Sequence, residues 1–253
     1  IISERYQGHE RIQLLGYRGS AEVVGTALLT LAVGQLLRFG WTATFLVYTF
    51  CFLVLGLFLL FVPYEKGEVH QHKQAKKEKM TAGQFRFTLL SALVAGVIVL
   101  SNTAINLRVP SLVLYHQIGT AQTASLILSA MQLIGIVAGV SFAPMVGIFK
   151  DRLLTIIGIC FGLSLILIGL SSNIWLLAFS ALFAGFTYSI TLTTIFHTVS
   201  EKIPPHLINQ AVSITVLGCS GGASVTTFIL SLIGHLSQAP LFIFSVLGGI
   251  MMV

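Results

Sequence analysis

The chain has 253 residues, of which 55% are hydrophobic and only 9% charged, and its net charge is +6. A water-soluble domain carries about 25% charged residues to cover its surface, and a mean hydropathy of +0.93 places this chain outside that class. The positive excess is concentrated in one segment between apolar runs, which speaks for membrane topology and against nucleic-acid binding.

Residues 1 to 18 are polar, with Arg5, Arg11 and Arg18 set against Glu4 and Glu10. There is no initiator Met and no basic-then-apolar leader, and the last residues, Met-Met-Val, fall inside an apolar run. We therefore expect a fragment of a longer protein. A first span is expected from about Gly19 to Leu37, with Glu22 near its start, followed by a turn at Arg38–Gly40. The second, Trp41 to Val62, has 22 residues without a charge, against roughly 20 needed to cross a bilayer.

Pro63 to Arg86 is the only long polar segment, and it carries Lys66, Lys73, Lys76, Lys77, Lys79 and Arg86. Such a Lys-rich run reads as a solvated linker, and its charge assigns it to the cytoplasmic side. A headgroup-binding role is the lesser reading.

A third span is expected between Arg86 and Arg108, and it contains Asn102 and Asn106. The uncharged stretch Val109 to Phe149 has room for one span or two. One span, Thr123 to Ile148 after an outer loop through Pro110 to Gly119, keeps Lys150, Asp151 and Arg152 on the linker's side. The fifth span is Leu153 to Leu170, and Ser171–Asn173 is its turn. The sixth runs from Ile174 to His197, the seventh from Leu207 to Gly234 after a break at Ser200–Pro205, and the eighth begins at Pro240. On this topology twelve of the fourteen Lys and Arg residues lie inside; only Arg38 and Arg108 lie outside.

The three cysteines, Cys51, Cys160 and Cys219, fall in apolar runs without metal-ligand spacing and read as packing residues. Gly135 and Gly139 make a GxxxG spacing, and Gly218, Gly221 and Gly222 cluster in the seventh span; small residues let membrane helices approach closely. A faint repeat relates Leu15–Leu36 to Ile208–Leu236, each followed by a short turn and a Phe-rich span. Two related halves about a basic linker form a transporter pattern. No H-E-x-x-H, G-x-S-x-G or phosphate-cradling glycine loop occurs, so neither catalysis nor a cofactor or metal is expected.

Three stretches resemble the major facilitator superfamily: Arg11 to Trp41, the basic linker, and Gly147-Ile-Phe-Lys-Asp151-Arg152, which is similar to its G-x-x-x-D-R loop. The resemblance implies an all-α polytopic membrane protein of two helical bundles, the N-terminal one truncated. Residues 1–62 would be its last two spans, 63–86 the cytoplasmic linker and 87–253 the six-span C-terminal bundle. It implies a secondary active transporter that moves a small-molecule substrate across the plasma membrane by alternating access, with efflux and a coupling proton as open details. A non-transporting receptor or assembly subunit on the same fold is the alternative.

Within the family's central cavity the resemblance points to Asn102, Asn106, Gln132, Tyr188 and Thr191, because polar groups in spans face a cavity or another helix. The two asparagines, four apart, share one helix face. Glu22 is the candidate coupling residue; His197, His206 and His235 lie at span ends and read as interfacial. Gly147, Asp151 and Arg152 would form a conformational latch, although Leu153-Leu154 replaces the family's usual downstream Gly and basic residue. Gly25-Thr-Ala-Leu-Leu lacks the Pro of the drug-antiporter motif.

Overall fold

A computed structural model of the chain describes residues 23–61, 80–149, 152–236 and 240–252. Within them nearly every residue is helical, apart from short turns such as 116–120, and there is no strand. That follows from the composition: in hydrocarbon every backbone N–H and C=O must find an internal partner, and a helix supplies them within one segment.

Helix α1 is Val23–Phe39. Gly40, at φ +107, makes the break that follows, a backbone conformation that glycine adopts without a Cβ penalty. A 3-10 stretch over Trp41–Thr49 then leads into α2, Phe50–Phe61. The remaining helices are α3 (Ala82–Tyr115), α4 (Ala121–Phe149), α5 (Leu153–Leu170), α6 (Ile174–Lys202), α7 (Ile208–Leu236) and α8 (Pro240–Met252). Six of the described segments are long and apolar enough to cross a membrane; Val23–Phe39 and Leu241–Met251 are shorter apolar helices.

Helix α3 starts at a reciprocal cap. The Gln84 backbone N–H donates to Thr81 Oγ1 at 3.4 Å, while the Thr81 N–H donates to Gln84 Oε1 at 2.9 Å. The helix therefore begins ahead of Arg86, and the last residues of the polar segment are its first turn. It also runs past Arg108 and through Pro110 to Tyr115, so the outer loop expected from Pro110 to Gly119 shrinks to residues 116–120. Proline loses only the bond to the fourth residue back and is tolerated in membrane helices where neighbours compensate. Pro144 lies inside α4 in the same way. With 34 residues α3 is about 51 Å long at 1.5 Å per residue, more than a hydrocarbon core of roughly 30 Å needs.

The most extensive packing among α3–α8 is α3 on α7 and α4 on α6, together with α5 against both α8 and α6. Small residues make the first two crossings. A Cβ on Gly96 would lie 2.8 Å from the Gly218 carbonyl oxygen, and one on Gly222 would run into the Gly96 backbone. In the partner pair, a Cβ on Gly185 would run into the Met131 carbonyl and one on Gly135 would lie 2.8 Å from Ser189 Oγ. Each contact falls ten to fifteen residues into its helix, so the two crossings occupy equivalent depths. Phe161, Leu165, Ile168 and Phe244 fill the core where α5 and α8 meet it.

Helix α1 reaches this bundle through α4. The Gln132 side chain meets Thr30, and a Cβ on Gly34 would overlap the Ser125 side chain. The span Trp41–Leu60 is unburied along its length.

Candidate functional site

The hydroxyls of the spans are mostly used locally. On α6, Thr187, Thr191, Thr194, Thr198 and Ser200 each donate to a carbonyl three or four residues back in the same helix. Such bonding satisfies the hydroxyl without a neighbour. Departures from it mark where a polar group is left for something else.

Two such atoms occur among the described residues. Asn102 Oδ1 on α3 and Ser129 Oγ on α4 are both buried without a hydrogen-bond partner. Leaving a buried acceptor or hydroxyl unpaired costs about 1–3 kcal/mol. Asn106 Nδ2 donates to the Asn102 backbone oxygen at 3.0 Å, so the two amides do share a face and one is chained to the helix itself. The Asn102 side-chain Oδ1 itself accepts from no described group. Sequence reasoning missed Ser129, since nothing in the sequence separates it from Ser125 or Ser141, which bond back along α4.

Gln132, half-buried on α4, donates from Nε2 to Thr30 Oγ1 at 3.3 Å, and the Thr30 hydroxyl donates in turn to the Thr26 carbonyl at 2.8 Å. This chain joins α1 to α4. Tyr188 stacks its ring at a tilt on Phe161 of α5, centroids 6.1 Å apart. Thr191 is buried, donates to the Thr187 carbonyl at 2.7 Å and sits in a different place from the amides. It lies in an apolar cleft of about 380 Å³ between α3, α5, α6 and α8. The structure thus separates the five predicted residues into the α3 amides, the α1–α4 tie and a pair on the α5 side of α6.

Of the latch residues, Gly147 is exposed and faces open space, and Arg152 is exposed directly ahead of α5. Asp151, Glu22 and most of the linker lie outside the described residues, as do residues 1–22. Arg108, placed by the sequence at the outer end of a span, is instead a half-buried residue inside α3. Its guanidinium donates to the Leu230 carbonyl of α7 at 3.4 Å, in the last two turns of that helix, where the dipole favours a cation. At the opposite end of the bundle His197 and Glu201 face each other at 3.9 Å, the His197 ring rests edge-on against Phe142 of α4, and Lys202 lies over the Phe87 ring of α3.

No group of three or more His, Cys, Asp or Glu residues converges to hold a metal among the described residues. Compared with known proteins, residues 1–227 match the family model described as Major Facilitator Superfamily. No curated protein and no solved structure matches the chain.

Proposed function

The chain belongs to the major facilitator superfamily, a family of multi-pass membrane transporters, and from that footing we propose that it is a secondary transporter moving a small solute by alternating access. The observation that carries this reading is the joint between α1 and α4. Alternating access needs two bundles that touch without merging, and the contacts of α1 with the six-helix bundle include Gly34–Ser125 and Thr30–Gln132 on α4. These contacts lie in the first half of α4, while Val140 and Ile148 are exposed toward its far end. Such one-sided contact suits a state closed at one face and open at the other. In this reading residues 1–62 belong to the first bundle, 63–86 are the cytoplasmic linker, whose last residues already open α3, and 87–253 form the second bundle, with both bundles in the plasma membrane.

The substrate-facing groups of the second bundle are the Asn102 and Ser129 side chains, whose unpaired polar atoms have room in their bonding for a solute. Gln132 acts at the bundle interface, and Asn106 lies one turn beyond Asn102 on the same face of α3. Gly147, Asp151 and Arg152 form the latch on the linker side. Proton-coupled efflux, with Glu22 as the coupling carboxylate, is the form of transport that the flux test below addresses. A receptor or assembly subunit on this fold would bind a solute without moving it.

The test is flux. Inside-out vesicles carrying the whole protein, energised with a proton gradient, are offered a panel of labelled organic solutes. Gradient-dependent accumulation that vanishes in Glu22→Gln supports coupled efflux. Binding without accumulation of any solute makes the protein a receptor. Accumulation with an unchanged pH profile in Glu22→Gln removes the proton assignment alone.

A further inference from the structure

The cleft between α3, α5, α6 and α8 takes no lining residue from α1, α4 or α7, so it stands apart from the bundle joint. Its walls are apolar, and its rim residues Leu93, Ile159 and Ile250 are exposed to the surroundings of the bundle, which for these spans is lipid. Gly158 in its floor meets nothing closer than the Met251 carbonyl at 3.9 Å, and so leaves the cleft deep. The one buried hydroxyl on its wall, Thr191, is spent on its own helix. Nothing here recognises a polar solute. The cleft suits a hydrocarbon chain.

What lies at its mouth identifies the rest of the occupant. On α3 the residues Arg86, Leu90, Leu93 and Val97 follow the spacing i, i+4, i+7, i+11, which is one face of a helix. On α5 the residues Arg152, Thr155 and Ile159 follow i, i+3, i+7 in the same way. Each stripe that lines the cleft is therefore headed by an exposed arginine at the same end of the bundle. Arg86 lies seven residues, or about 10 Å, from Leu93 along the axis. Lys202, at the end of α6, is brought to the start of α3 by its seat over Phe87, 5.2 Å from the ring centroid. Neither arginine makes an ion pair with a described residue, and the one described carboxylate at this end, Glu201, faces His197.

Basic pockets between spans at the membrane surface hold anionic headgroups. We propose that this cleft binds an anionic phospholipid, one acyl chain lying between α3, α5 and α8 and the phosphate held by Arg86, Arg152 and Lys202. The site shares Arg152 with the latch proposed above, but its readout is binding rather than flux, so it can fail or stand apart from the transport reading.

Native mass spectrometry of the whole purified protein, released from mixed phosphatidylglycerol and phosphatidylcholine, reads the bound lipid directly. The expected result is preferential retention of phosphatidylglycerol, weakened about tenfold or more by Arg86→Gln with Arg152→Gln and kept by the two Arg→Lys changes. Thr155→Trp, which fills the cleft from an exposed position, reduces retention of the lipid without removing a charge. Arg108→Gln, at the other end, leaves the preference unchanged. Equal retention of the two lipids, or a preference untouched by the paired glutamines, overturns the proposal. So does displacement of the lipid preference by free glycerol phosphate alone, because the phosphate would then bind without its chain.

Discussion

At the scale of single residues, the informative contrast is between polar groups that are satisfied and those that are not. Asn102 Oδ1 is buried and unpaired, while the bond from Asn106 goes to the Asn102 backbone and survives any change of side chain. Asn102→Leu should therefore leave thermal stability in detergent unchanged or raised, because an unsatisfied acceptor costing about 1–3 kcal/mol is removed. If the amide contacts substrate, the same change should weaken transport by about threefold to tenfold, the worth of one hydrogen bond. A falling melting temperature with intact transport would make Asn102 a structural residue. Gln132→Leu should differ: it removes the bond to Thr30 and should cost about 0.6 kcal/mol, read as a small loss of stability. The pair Asn102 and Asn106 was legible because four-residue spacing fixes a helix face. The partner of Gln132 was not, since Thr30 lies 102 residues away and only the folded chain brings them together.

Among whole elements, the spans were readable for a physical reason. An apolar run with no water to bond its backbone has to become a helix, so the start of α6 at Ile174 and both ends of α5 coincide with the sequence reading. The error at Pro110 came from treating two water-phase stop signals as decisive. In the folded chain Arg108 is not a boundary, because its guanidinium finds the Leu230 carbonyl on α7, and the helix carries Pro110 through. Which glycines matter was equally hidden. Gly218 and Gly222 sit against the backbone of α3, whereas Gly221 and Gly139 face open space, and composition alone cannot tell them apart. Gly222→Val should force α3 and α7 apart and destabilise the protein by about 1–3 kcal/mol or more, as overpacking does. Gly221→Ala should be neutral or stabilising, since helical glycine costs up to about 1 kcal/mol relative to alanine. Thermal unfolding of the two variants side by side checks this, and equal losses would mean that the crossing tolerates separation. Gly185→Val should behave like Gly222→Val, because a Cβ on Gly185 runs into the Met131 carbonyl of α4.

On the scale of the whole molecule, the mechanism depends on whether α1 and α4 part during the cycle. The paired crossings inside the six-helix bundle are backbone-close and resist separation, whereas the described contacts of α1 with α4 run through side chains, Thr30 with Gln132 and Ser125 against Gly34. Motion should therefore concentrate at the joint. Gly34 and Ser125 offer a direct handle, because the side chain of one meets the backbone of the other. A disulfide needs Cβ atoms about 3.5–4.5 Å apart, and a Cβ on Gly34 overlaps the Ser125 side chain, so the two helices must part by about 1 Å or more to accommodate Gly34→Cys with Ser125→Cys. The variant is best made in a background lacking Cys51, Cys160 and Cys219, none of which is disulfide-bonded in the structure. Oxidation should arrest flux of any solute that the vesicle screen identifies, and reduction should restore it. Solute binding should survive oxidation if the joint closes only one face, since the site would then stay open to the other. Full cross-linking with undiminished flux would show that this contact persists through the cycle, and the moving boundary between the bundles would have to lie elsewhere than at α1 and α4.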